Sequence, residues 1–160
     1  MRRIVFGLIG LVALADGACA QPGWEPAQLK DFIGTPDYKY RSTQTPFLAA
    51  NGDFDGDGHV DRARLLRNEQ EKKYALEVIL SNGKSQHLVE GDLGDLQKLA
   101  LTLITPGLYG TSCVKGKAAG ACASADIDVK HDALSLFEFN GQNRYFYWTG
   151  GRFEAAYIVD

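Results

Sequence analysis

The acidic segment of residues 51–61, NGDFDGDGHVD, constrains the fold more than any other part of this 160-residue chain. It contains four aspartates within nine positions, and a glycine follows the third of them. Carboxylates this close repel one another by on the order of a few kcal/mol per close pair near a protein surface. The segment is therefore predicted to be a surface loop, which either wraps around a cation or is held open by solvent and glycine.

The spacing of the aspartates favours the cation. Counted from Asp53, the loop has the form DxDxDGxxD, which places carboxylates at positions one, three, five and nine and glycine at the sharp turn of position six. Flexible all-oxygen cages suit Ca²⁺, whereas transition metals prefer imidazole or thiolate ligands. The predicted Ca²⁺ ligands are the side chains of Asp53, Asp55, Asp57 and Asp61 and the backbone carbonyl of His59.

The segment that follows the loop distinguishes it from an EF-hand. An EF-hand loop has a bidentate glutamate at position twelve, followed by a helix. Here that position is Arg64, which lies between Ala63 and Leu65 in a strand-like alternation. The loop is therefore predicted to lead into a β-strand.

The stretch GDFDGDGHVDRARLL resembles the calcium loop of FG-GAP or VCBS-type repeats, where the loop links adjacent β-strands. The aromatic ending FYWTGGRFEAAYIVD also resembles that of small exported bacterial proteins that carry one such loop. In the repeat families the loop recurs around a β-propeller involved in adhesion or ligand binding. Here it occurs once and the chain is too short for a full propeller, so the resemblance implies only the metal-binding role of the loop.

The N-terminus has the anatomy of a secretory signal peptide. Two arginines precede an apolar segment at residues 4–15, and Ala18-Cys19-Ala20 forms an A-x-A cleavage site. Cleavage after Ala20 is predicted to leave one periplasmic or secreted domain of residues 21–160, with no transmembrane segment. The alternative is a lipoprotein signal with Cys19 as the acylated residue.

The two remaining cysteines, Cys113 and Cys122, are predicted to form a disulfide bond in an oxidising compartment. A loop of this length would contribute somewhat under ~3 kcal/mol by constraining the unfolded chain. Their separation and the absence of neighbouring histidines argue against a zinc site.

The remaining sequence predicts a mainly β fold. Period-two alternation begins at Val60 and continues through a meander with an Asn82-Gly83 hairpin turn. The tail predicts three strands over residues 133–139, 143–149 and 152–159, joined by two glycine-containing turns. Residues 96–104 are predicted to form a strand rather than a helix, residues 27–33 one short helix, and residues 35–46 a connector. About six strands should form an antiparallel meander, sandwich or partial barrel with one short N-terminal helix.

The net charge of the mature chain and the distribution of its charges argue against some classes of binding partner. Without Arg2, Arg3 and Asp16 the basic and acidic counts fall from 17 and 20 to 15 and 19, a net charge of about −4. The dispersed charges provide no footprint for nucleic acid or an anionic membrane. The aromatic tail could bind glycans or peptides, although alternation favours burial of about half of its rings.

We therefore expect a non-enzymatic, exported, calcium-binding β module that binds a protein or glycan partner. One alternative is a small periplasmic hydrolase, for which the chain offers three histidines, His59, His87 and His131, and acidic pairs such as Asp132 with Glu138. The other is an inhibitor of an envelope enzyme that presents residues 113–122 to its target.

Overall fold

The computed structural model describes residues 23–111, 126–139 and 141–158. Within these ranges the chain forms two antiparallel sheets and a two-stranded ribbon, which confirms the predicted mainly β class. The predicted signal peptide and the predicted Cys113–Cys122 bond lie outside the described residues.

The first sheet is built on the predicted meander. Strands β3, β4 and β5 follow one another as antiparallel neighbours. Two short strands pair with the other edge of β3. Strand β2 pairs with its first half, and β1 pairs with residues near its end. The acidic loop therefore connects two hydrogen-bonded neighbours in one sheet. The five strands are β1 (Glu25–Pro26), β2 (Ala49–Gly52), β3 (Asp61–Asn68), β4 (Lys73–Ile79) and β5 (Ser85–Asp92).

The second sheet contains the aromatic tail in the order β11-β10-β9-β6, and its three tail strands match the predicted hairpins. Residues 99–104 form the fourth strand, as expected, but a short helix precedes them. The separate ribbon pairs β7 with β8. The bounds are β6 (Leu99–Ile104), β7 (Gly107–Gly110), β8 (Asp126–Val129), β9 (Ala133–Glu138), β10 (Asn143–Trp148) and β11 (Phe153–Ile158).

The two sheets form a sandwich around a shared apolar core. Leu65, Leu76 and Val78 of the first sheet belong to the same buried cluster as Leu101 and Phe146 of the second. Each strand contributes these side chains at alternate positions on one face, as expected when two sheets pack face to face.

The helical segments differ from the prediction. The predicted helix at residues 27–33 is only a 3₁₀ turn, Leu29–Phe32, whereas the predicted connector contains α1 (Tyr38–Thr43). A second short helix, α2 (Leu93–Leu96), precedes β6.

A buried arginine accounts for α1. The Arg41 side chain is 1% exposed and donates to the Asp37 carboxylate, the Pro46 carbonyl (3.2 Å) and the Leu99 carbonyl (2.7 Å). Its guanidinium also lies 4.2 Å from the centroid of the Phe32 ring. These contacts hold the helix against the second sheet, and local propensity does not reveal them.

Candidate metal centre

Hydrogen bonds from backbone amide groups to the Asp53 carboxylate fold the acidic loop around this side chain. The N–H groups of Gly56 and Gly58 donate to the two carboxylate oxygens of Asp53, at 2.8 Å and 3.0 Å. Both glycines have positive φ, 78° and 83°, a conformation that side chains disfavour. The two glycines therefore let the chain double back over one carboxylate.

Asp61 fastens the other end of the loop. Its side chain is 1% exposed, and its Oδ2 accepts hydrogen bonds from the N–H groups of Phe54 (2.8 Å) and Asp55 (3.4 Å). Its Oδ1 accepts the N–H of Ser81, in the β4–β5 turn, at 2.8 Å. The Phe54 ring is fully buried in the core. One carboxylate thus joins the start of the loop, its end and the neighbouring turn.

Three of the predicted ligands converge. Asp53, Asp55 and Asp61 each offer a carboxylate oxygen, and these oxygens lie within 4.8 Å of one another. Two oxygens on opposite sides of a Ca²⁺ ion would be roughly 4.6–5.2 Å apart, because each Ca–O bond is about 2.3–2.6 Å long. The three carboxylates therefore fit ligation of a single ion.

The remaining two predicted ligands are Asp57 and His59. The Asp57 carboxylate accepts the Ser81 hydroxyl (2.7 Å) and the His59 N–H (2.8 Å), and it is not a member of the convergent set. The His59 side chain is 75% exposed, with Nδ1 3.3 Å from Asp57 Oδ1. Its predicted ligand atom is the backbone carbonyl, and that role stays a prediction.

The environments of Asp55 and Asp57 shift their pKa values in opposite directions. Partial burial raises the pKa of Asp55, and the negative charges of Asp61, Asp57 and Asp53 act in the same direction. The hydrogen bond from the Ser81 hydroxyl lowers the pKa of Asp57, together with the bond from the His59 N–H. Of these two carboxylates only Asp55 belongs to the convergent set, and a cation there would offset the neighbouring negative charges that help to raise its pKa.

Sequence reasoning considered Asp132 and His131 only for a hydrolase and missed their contact with this loop. Asp132 lies in the β8–β9 connection, and its Oδ2 accepts the N–H of Asp53 at 3.1 Å. The His131 ring lies against Gly56, since a Cβ there would be 2.3 Å from its Cε1. Neither residue belongs to a motif, so no local sequence pattern predicts their position.

The structure also locates the residues considered for a hydrolase. Asp132 and Glu138 lie at opposite ends of β9, about 20 Å apart along an extended chain. Glycosidase carboxylates are about 5–9.5 Å apart, so these two do not form such a pair. His87 lies on β5, where its Nδ1 is 2.8 Å from Glu90 Oε1 and its ring contacts Trp24.

The tail aromatics divide between core and surface. Tyr145 and Phe146 are buried, whereas Tyr157 is 41% exposed and Trp148 is partly buried. Among the residues that the structure describes, no helix has the length and apolar character needed to cross a membrane. Comparisons of the chain with protein-family models, curated proteins and solved structures found no match.

Proposed function

We propose that the loop of residues 53–61 binds one Ca²⁺ ion in an exported, non-enzymatic β module that recognises a protein or glycan. The convergence of three carboxylate oxygens within 4.8 Å carries the metal-binding part of this proposal. Such an arrangement is unfavourable for anions alone and favourable once a divalent cation lies between them.

Calcium is the ion that best suits this set of ligands. It takes six to eight oxygen ligands in flexible geometry, whereas Mg²⁺ requires near-ideal octahedral geometry and retains several waters. Asp53, Asp55 and Asp61 would supply the carboxylates. The His59 carbonyl, water and a rearranged Asp57 side chain would complete the shell.

The ion would act as a structural clamp. The loop already contacts β3, the β4–β5 turn and the β8–β9 connection through Asp61, Ser81 and Asp132. Removing the repulsion among its carboxylates would stabilise the end of the sandwich where these segments meet. The single FG-GAP/VCBS-type loop is proposed to serve this role without the propeller of the repeat families.

Thermal melting of the mature chain in calcium and in EDTA tests the metal site. We expect calcium to raise the stability, by about 2.7 kcal/mol at one hundred times the dissociation constant. Asp53→Asn and Asp55→Asn should each lose most of this shift, because each removes a ligand charge while keeping a side chain of similar size.

Asp95→Asn is the matched control, since Asp95 is an exposed aspartate of α2 whose carboxylate pairs with Lys98. It should retain the full calcium shift. Equal melting of the wild type in calcium and in EDTA would contradict the metal site, as would an unchanged shift in Asp55→Asn.

The proposed export is tested by the mass of the protein recovered from the host envelope. A chain beginning at Gln21 is expected if the signal peptide is cleaved after Ala20. A lipid-modified chain beginning at Cys19 would instead establish the lipoprotein alternative.

A further inference from the structure

Three chain connections meet at the end of the sandwich that carries the acidic loop. They are the β2–β3 loop, the β4–β5 turn and the β10–β11 turn, and they come from both sheets. A cleft of about 550 Å³ opens between them, within the range of small-ligand sites. Its lining includes Asp55, Asn82, Lys84, Gln86, Trp148 and Arg152.

We propose that this cleft binds an acidic glycan, an oligosaccharide that contains uronic acid carboxylates. The inference deepens the proposed function, because it selects a glycan as the partner and relies on calcium in the adjacent loop for full affinity. The chemistry of the lining supports it in three respects: an aromatic surface, amide groups and a pair of cations.

Trp148 supplies the aromatic surface. It is partly buried at the end of β10 and is held by an edge contact with Phe153, with ring centroids 5.1 Å apart. A supported indole is rigid and amphipathic, so it can pack against the C–H face of a sugar ring at little entropic cost.

Two amide side chains supply groups for sugar hydroxyls. The Asn82 Oδ1 accepts the N–H of Lys84 at 3.0 Å, which orients the side chain and leaves its amide NH₂ to donate. The exposed Gln86 lies on the same wall, at the start of β5. These donors and acceptors around one apolar ring suit a polyhydroxylated ligand better than an apolar peptide.

Two cations favour an acidic sugar over a neutral one. Lys84 is exposed in the β4–β5 turn, and Arg152 is 78% exposed in the β10–β11 turn, where it pairs with Glu154 at 2.7 Å. The Nε and Nη2 groups of Arg152 donate to Glu154 Oε1 at 3.2 Å and 2.7 Å, so a ligand carboxylate would bind the opposite, Nη1–Nη2 edge of the guanidinium. Uronate groups would therefore find cations on two sides of the cleft.

Asp55 links the cleft to the calcium site. It lines the cleft and also belongs to the convergent set with Asp53 and Asp61. With Ca²⁺ bound, its charge is offset and an anionic ligand can approach. Without the ion, the same carboxylates repel that ligand.

Isothermal titration calorimetry on the mature chain tests the proposal with a hyaluronan tetrasaccharide, tetragalacturonate and the neutral cellotetraose. We expect both uronates to bind in calcium, each at least about tenfold more tightly than cellotetraose, and more weakly in EDTA. Lys84→Glu and Arg152→Glu change exposed side chains and should each weaken uronate binding by about tenfold or more.

Lys39→Glu is the charge-matched control, because Lys39 is exposed on α1, away from the residues that line the cleft. It should bind both uronates as the wild type does. Trp148→Ala should lose uronate binding but keep the calcium-dependent melting shift, and Trp148→Phe provides a milder variant if the alanine change impairs folding.

The outcomes separate the two proposals. A calcium-dependent melting shift without uronate binding overturns the glycan cleft and leaves the calcium site standing. Equal binding of cellotetraose, or wild-type uronate binding by both charge variants, also overturns the cleft. Uronate binding that needs Lys84 and Arg152, in a protein with no calcium shift, supports the cleft but contradicts the calcium site and the calcium dependence proposed for the cleft.

Discussion

The backbone N–H of Asp53 donates a hydrogen bond to Oδ2 of Asp132 at 3.1 Å, across 79 positions of sequence. This contact attaches the acidic loop of the first sheet to the β8–β9 connection, which leads from the ribbon into the second sheet. Gly52 makes the approach possible, because a Cβ there would lie 2.8 Å from the same carboxylate oxygen. The loop is thus shaped by both sheets, and its stability depends on their packing.

Replacing Asp132 tests this attachment. Asp132→Ala removes the acceptor of the Asp53 N–H and should lower the free energy of unfolding by about 1–2 kcal/mol. Asp132→Asn keeps an oxygen acceptor and should lose less. Urea denaturation in EDTA measures both, and equal stability of Asp132→Ala and the wild type would show that the contact contributes nothing.

Asp61 should be the most important aspartate for folding itself. Asp61→Ala leaves the N–H groups of Phe54 and Ser81 without their acceptor near the core, which we expect to cost about 2–4 kcal/mol even in EDTA. Asp55→Asn should cost little in EDTA, because it removes a carboxylate that its neighbours repel. Urea denaturation of both variants in EDTA measures the two losses in free energy of unfolding. A larger loss in Asp55→Asn than in Asp61→Ala would contradict this prediction.

Alanine substitutions at Gly56 and Gly58 can separate the cost of backbone strain from the cost of a steric clash. Both have positive φ, but a Cβ on Gly58 meets open space, whereas one on Gly56 meets the His131 ring. Gly58→Ala should cost about 1 kcal/mol from backbone strain, and Gly56→Ala should cost more.

The double variant His131→Ala with Gly56→Ala serves as the control for this comparison. Removing the His131 ring should restore the part of the stability that Gly56→Ala loses through the steric clash. The part lost through backbone strain at positive φ should remain. Urea denaturation measures the free energy of unfolding of both single variants and of the double variant. If the loss in the double variant equals the sum of the losses in the two single variants, the packing of His131 on Gly56 is contradicted.

Tyr74 should limit stability at alkaline pH. Burial raises the pKa of its hydroxyl, and the negative charge of Asp95 adds to the effect. In the unfolded chain the tyrosine hydroxyl ionises near its ordinary pKa of about 10. In the folded protein it ionises only at a higher pH, so the stability that is fully present below pH ~10 should be lost as the pH rises from there through the raised pKa of the folded state. Tyr74→Phe should show a smaller alkaline loss in melting temperature, and identical pH profiles would refute the assignment.

The meander and the tail were predictable because their information is local. The Asn82-Gly83 turn and the period-two pattern of β3 and β4 specify neighbouring antiparallel strands without reference to the rest of the chain. The helix α1 was not predictable in this way. Its stability comes from Arg41, whose acceptor on Leu99 lies 58 positions away and which a turn-rich segment does not reveal.

The sequence alone determined that residues 53–61 form an acidic, glycine-turned loop leading into a β-strand, because charge repulsion and φ preferences act over a few residues. Only the tertiary structure decided which oxygens meet. Asp53, Asp55 and Asp61 converge, whereas Ser81 holds the Asp57 carboxylate at the β4–β5 turn. Asp132 and the cleft beside Trp148 likewise come from distant segments, since packing of the two sheets places side chains together that no sequence spacing relates.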